Sequence, residues 1–159
     1  MNNIAQHMPA WSLPSRRSLL GGLLASTFLI AGHAQNTGAG VANSAKKPGV
    51  VIQVSDADPS KWNLALNNAK NVQQELGVGK VDIEIVAYGP GIGMLKADAT
   101  TSNRVSEAMQ SGIQVVACEN TMITMKLTKA DMHPSIAYAP SGVVEIMKLQ
   151  GQGWAYVRP

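Results

Sequence analysis

Ile113-Gln114-Val115-Val116-Ala117-Cys118-Glu119-Asn120-Thr121-Met122 is the stretch on which the reading of this chain turns. An apolar, β-branched run ends at the only cysteine, and Asn120 and Thr121 follow it as side chains suited to capping a helix. A buried strand handing over to a helix at its carboxyl end is where open α/β sheets place their ligands. Only the thiolate is nucleophilic. A helix N-terminus lowers a cysteine pKa while the adjacent Glu119 carboxylate raises it, so the local sequence leaves the sign open. The segment also fits an inert cysteine that closes a core strand, because free cysteine packs as a small hydrophobe.

Outward from this stretch, short β-branched runs alternate with segments of helical period. Upstream, Gly49 to Val54 reads as a buried strand, and Asp58-Pro59 as an N-cap followed by proline at the first helical position. Trp62, Leu66, Ala69, Val72 and Leu76 then recur at helical spacing up to Gly77. Val81 to Ala87 reads as a second strand, followed by the glycine-rich run Tyr88-Gly89-Pro90-Gly91-Ile92-Gly93, which has neither P-loop nor dinucleotide-fingerprint spacing and fits a plain turn. Ser102 to Gln110 reads as a helix. Downstream, a helix is expected over Thr121 to Leu127, a loop with His133 over Lys129 to Pro134, and a strand over Ile136 to Ala139. Ser141 opens a helix over Val143 to Leu149, and Trp154 to Val157 is a last strand. The alternation predicts an α/β fold with a mostly parallel sheet covered on both faces.

The first 34 residues read as an address rather than as fold. Ser15-Arg16-Arg17-Ser18-Leu19-Leu20 opens an apolar run that closes at Ala31-Gly32-His33-Ala34, small residues suited to signal cleavage. Gly21 and Gly22 interrupt the run, which falls short of the ~20 apolar residues of a stable membrane span. The arginine pair resembles a twin-arginine export signal, although Gly21 stands where lysine is often found, and an ordinary secretory signal fits as well. Either route predicts a periplasmic protein with a cleaved signal peptide, a flexible leader at 35–47 and one domain at 48–159.

Loss of Arg16 and Arg17, with no acidic residue, from 13 basic and 10 acidic side chains leaves a net charge of +1. The basic balance needed for nucleic acid or anionic lipid is therefore missing. With Cys118 alone in an oxidising compartment, the thiol is free, modified or paired between chains. His133 is the only histidine after residue 34, so one subunit cannot build a multi-histidine zinc site, and no cofactor is expected.

Three groups of residues together resemble the DsrE/DsrF-like proteins of sulfur metabolism. They are Val86-Ala87-Tyr88-Gly89-Pro90-Gly91-Ile92, Val116-Ala117-Cys118-Glu119-Asn120-Thr121-Met122, and the closing pair Pro140-Ser141-Gly142-Val143-Val144-Glu145-Ile146 and Gly153-Trp154-Ala155-Tyr156-Val157-Arg158-Pro159. The resemblance, from about Gly49 to Pro159, implies a three-layer α/β/α sandwich with about five strands, assembled as a homo-oligomer such as a trimer or hexamer. It also implies that Cys118 matches the cysteine that accepts sulfane sulfur as a persulfide in the relay members and passes it between donor and acceptor proteins. Those members are cytoplasmic, so the export signal is a departure.

The resulting expectation is a periplasmic persulfide carrier or sulfurtransferase with Cys118 as the reacting residue and a thiol pKa below the ordinary range. Its pocket would draw on Tyr88, Gly89 and Gly91 from the loop after the second strand, on Glu119, Asn120 and Thr121, and on His133 as the one available base. The alternative is a non-enzymatic oligomeric binding protein using the same pocket. A soft-metal variant would use Met94, Met122, Met125 and Met132, but a chain without phenylalanine after residue 34 also needs its methionines for packing.

Overall fold

A computed structural model describes residues 46–159. The segments expected to be an export signal (1–34) and, but for its last two residues, a flexible leader (35–47) lie outside the described residues. The sheet has five strands, β1 (Gly49–Val54), β2 (Asp82–Ala87), β3 (Gln114–Cys118), β4 (Ala137–Ala139) and β5 (Ala155–Val157), in the order β4-β3-β2-β1-β5 and parallel throughout. Four α-helices complete the described fold: α1 (Pro59–Leu76), α2 (Ser102–Gln110), α3 (Glu119–Thr124) and α4 (Gly142–Gly151).

The handedness of parallel crossovers explains the layers. From β1 to β4 the chain steps in one direction, so right-handed connections put α1, α2 and α3 on one face; the return from β4 to β5 beside β1 reverses direction and puts α4 on the other. The expected three-layer sandwich is therefore present, with unequal outer layers. Period-2 alternation serves both. Ile52, Ile83, Ile85, Ala87, Val115 and Ala117 face the larger core with Trp62, Leu66 and Val105, whereas Val51, Val86 and Val116 meet only Ile146, Leu149 and their neighbours under α4.

The local signals act as expected at most element ends. The Asp58 side chain accepts the Ser60 N–H at 2.8 Å at the start of α1, Pro59 occupies its first turn, and Gly77 follows its end. Two expectations need correction. The helix after β3 begins at Glu119 rather than Thr121 and ends at Thr124, so Cys118 itself takes the N-cap position that Asn120 or Thr121 would have filled. The run after Tyr88 is not a plain turn but a 3₁₀ helix, Gly89–Leu95, which buries Ile92, Met94 and Leu95 in the larger core.

Gly91 is the residue that allows this turn to lie against β1. A Cβ there would stand 2.3 Å from the Val54 carbonyl oxygen and 2.7 Å from the Ser55 nitrogen, both backbone atoms that cannot step aside. Gly91→Ala is thus expected to lower stability by about 1–3 kcal/mol, the usual cost of overpacking. Urea unfolding with an unchanged m-value would measure it, and a loss below 0.5 kcal/mol, the scatter of an ordinary surface substitution, would contradict the close approach.

Candidate functional site

Connections leave β3 and β4 toward opposite faces, β3 into α3 on the larger layer and β4 into α4 on the smaller one. The crevice of an open sheet lies at such a reversal, outside the carboxyl ends of the strands. Cys118 stands in it. Its neighbour Ala117 is committed to the larger core, so alternation turns the Cys118 side chain to the α4 face, where it is 5% exposed.

Four donors surround the sulfur. They are the Thr121 hydroxyl and the backbone N–H groups of Gly142, Thr121 and Asn120. Burial pushes the thiol pKa up, but these donors favour the thiolate more strongly and the net shift is downward. None of the helix amides closes a standard capping bond to sulfur, so they act as a field of partial positive charge. Asn120, whose N–H already donates to the Pro140 carbonyl at 3.2 Å, adds least. Glu119 is not among the groups acting on the thiol, contrary to the opposing charge expected from adjacency. It lies near Tyr138, whose phenol pKa is raised first by burial and then by Glu119.

Thr121 joins two of the expected segments. Its hydroxyl oxygen accepts the Gly89 N–H at 2.9 Å, which leaves its own hydrogen available for the sulfur. Gly89 therefore acts through Thr121, and Gly91 is a packing residue under β1. Tyr88 is half-buried on the α4 face, where burial raises its phenol pKa, with Tyr156, Asp56 and Cys118 adding to the rise and Arg158 opposing it.

His133 is carried elsewhere. Its ring is buried with Nδ1 donating to the Pro134 carbonyl at 2.5 Å and Nε2 paired with the Ser106 hydroxyl at 2.7 Å. Ser106 is on α2, so this imidazole belongs to the layer across the sheet from Cys118 and cannot be its base. Of the methionines, Met94, Met122 and Met132 are core packing and Met125 is exposed. Among the described residues, no three His, Cys, Asp or Glu side chains form a cluster suited to a metal ion.

One contributor was missed from the sequence. Gly142 brings its N–H to the sulfur because a Cβ there would press at 3.2 Å on both Tyr88 and Val86; a glycine just inside a Ser141-capped helix was the available signal. At the ends of β1 and β5, the Tyr156 hydroxyl donates to Gln53 Oε1 at 2.5 Å and the Gln53 amide to Ser55 Oγ at 3.1 Å. Nothing local in the sequence pairs residues so far apart.

Residues 35–159 match the DsrE/DsrF-like family. Among solved structures, the chain is similar to the protein of unknown function MTH1491 from Methanobacterium thermoautotrophicum, at 34% identity over 70% of this chain and 99% of that one, with a TM-score of 0.67. The conserved protein of unknown function BT1422 from Bacteroides thetaiotaomicron is 18% identical over 74% of this chain and 99% of that one, at a TM-score of 0.59. The ychN protein of E. coli is 10% identical over 70% and 99%, also at 0.59. These last two share the fold. No curated protein matches the chain.

The geometry predicts that alkylation of Cys118 rises with pH earlier than for an ordinary cysteine. Thr121→Val removes the hydroxyl donor and should move the midpoint up, and Glu119→Gln should leave it in place. Iodoacetamide rates against pH measure all three. A downward move in Glu119→Gln would restore that carboxylate to the site.

Proposed function

Because the chain belongs to the DsrE/DsrF-like family, we propose that it is a sulfur carrier that holds one sulfane sulfur on Cys118 as a persulfide and hands it on in the periplasm. The observation that carries this reading is the convergence of the Thr121 hydroxyl and the Gly142 and Thr121 amides on a single thiol with a lowered pKa. The chemistry asks for little more. The Cys118 thiolate attacks the outer sulfur of a donor persulfide, a new S–S bond forms as the donor's S–S bond breaks, and the electron pair leaves with the donor thiolate. Transfer onward reverses this: an acceptor thiolate takes the outer sulfur and Cys118 departs as thiolate. No net oxidation occurs and no general base is required once the thiol is ionised, which accords with His133 lying across the sheet.

The donors that favour the Cys118 thiolate also favour its departure as a thiolate when the outer sulfur is handed on. The address rests on the arginine-led apolar run at 15–34. A homo-oligomer is part of the same proposal, supported by apolar side chains exposed near the site, Ile123 on α3 and Val143, Val144 and Met147 on α4.

Incubation of the full chain with polysulfide should add the mass of one sulfur, reversible by dithiothreitol, and Cys118→Ser should keep the fold and add none. If the wild type takes up no sulfur while its thiol still alkylates early, the pocket is a binding site and the carrier reading fails. Replacing both arginines by lysine keeps the charge a general secretory signal uses. Unchanged periplasmic yield in that double variant would assign export to the ordinary route.

A further inference from the structure

The two longer helices of the larger layer leave a polar cleft between them that sulfur transfer does not use. On α1, Asn63, Asn67, Lys70 and Gln74 recur at intervals of three and four residues and share one stripe; Arg104, Glu107, Ala108 and Ser111 do the same along α2 and its C-cap. The stripes meet at two bridges. Arg104 Nη1 donates to the Asn63 side-chain oxygen and Nη2 to that of Asn67 at 2.6 Å, while Gln73 Nε2 donates to the Ser111 carbonyl at 2.7 Å. Between the bridges lies a cavity of about 360 Å³, within the size range of small-ligand sites. Leu66, Ala108 and Ile113 give it an apolar floor, and Lys70, Gln74, Arg104 and Glu107 give it polar walls.

This cavity carries a surplus of positive charge. Lys70 and Arg104 stand against Glu107 alone, and none of the three joins an ion pair among the described residues. Even with Lys70 turned onto Glu107, Arg104 is left over, because its partners are neutral amides. The surplus survives a wider count: along both helices Lys61, Lys70 and Arg104 stand against Glu75 and Glu107, and the flanking Asp58 and Lys80 cancel. The donors are also within reach. Arg104 is half-buried, and its Nε–H and one Nη2 hydrogen have no acceptor among the described residues. The nearby backbone acceptors are taken, the Ala108 carbonyl by the Ile113 N–H and the Ser111 hydroxyl, and the Ser111 carbonyl by Gln73. Two amides one turn apart thus fix the guanidinium without neutralising it, which suits a guest that brings a carboxylate.

We propose that this cleft binds a small organic monocarboxylate, its carboxylate on the free N–H groups of Arg104 with Lys70 as the second cation, and its short hydrocarbon chain on Leu66, Ala108 and Ile113. An alcohol of the same length would supply acceptors but not the missing negative charge. The inference is independent of the carrier reading, since α1 and α2 lie across the sheet from Cys118 and α4.

The test titrates the full chain with sodium hexanoate at neutral pH by calorimetry, beside acetate, 1-hexanol and Nα-acetyl-glutamate methylamide. Saturable binding of hexanoate at millimolar concentration is expected. Acetate, which lacks the buried chain, and 1-hexanol, which lacks the charge, should each bind about 10-fold or more weaker. Arg104→Gln should cost about 10-fold or more by removing a charge-assisted donor, and should leave sulfur uptake at Cys118 unchanged. Glu107→Gln, at an exposed position, removes the one opposing charge and should tighten binding about 2- to 5-fold, which decides the matter even where Arg104→Gln loosens α1 from α2. Absence of saturation, equal affinity for 1-hexanol, unchanged binding in Arg104→Gln, or unchanged or weaker binding in Glu107→Gln would each overturn the proposal. Acetate as tight as hexanoate would overturn it in favour of a site for anions in general. Binding of the glutamate derivative alone would overturn it in favour of a partner protein's side chain.

Discussion

Everything functional in this domain follows from one constraint: five strands run parallel, so each must be re-entered by a crossover and all carboxyl ends gather along one edge. Because crossovers are right-handed, the change of direction after β4 places α4 alone on its face. That reversal opens the crevice in which Cys118 lies. It also leaves the α4 face thinly covered, a small cluster around Val51, Val86 and Val116 against the much larger core opposite. The thick layer buries polar groups too, but Thr101 and His133 there are hydrogen-bonded, whereas Glu84 on the thin face has an oxygen without a partner.

The thin face carries different chemistry at its two ends. At the carboxyl end, partial positive charge from backbone amides and the Thr121 hydroxyl collects around a thiol and favours its anion. At the amino end, Glu84 is buried with one carboxyl oxygen unpartnered, and burial holds it partly protonated near neutrality. Helix α4 spans both, its positive end toward the sulfur and its negative end toward the carboxylate. A single ten-residue helix laid across a parallel sheet thereby sets opposite electrostatic preferences at its two ends.

The close approach of α4 to the sheet depends on Gly142. A Cβ at Gly142 would meet Tyr88 and Val86, and any retreat would take the Gly142 N–H away from sulfur. Tyr88 is thus a packing partner as well as a pocket wall, tied by electrostatics to Tyr156, Asp56 and Arg158 at the ends of β1 and β5. The 3₁₀ turn under Gly91 has the parallel duty on the other side, seating the Gly89 N–H where Thr121 can accept it.

The sequence alone determined the order and kind of the elements, because period and punctuation are local: β-branched runs at Gly49–Val54 and Gln114–Cys118, helical spacing after Asp58-Pro59, and glycine at 77. It also placed Cys118 at a strand end, where a buried run meets helix-starting residues. What it could not determine was which side of the sheet each polar residue joined. His133 and Glu119 are close to the cysteine in the chain or in chemistry, yet the first packs on α2 through Ser106 and the second lies by Tyr138. Gly142 and Glu84 are far from Cys118 in the chain, yet one completes the thiol's surroundings and the other has a carboxylate oxygen without a partner. Those outcomes rest on crossover handedness and strand register, which are properties of the assembled sheet; only once β1 to β5 are in place does a residue acquire the neighbours that set its charge state.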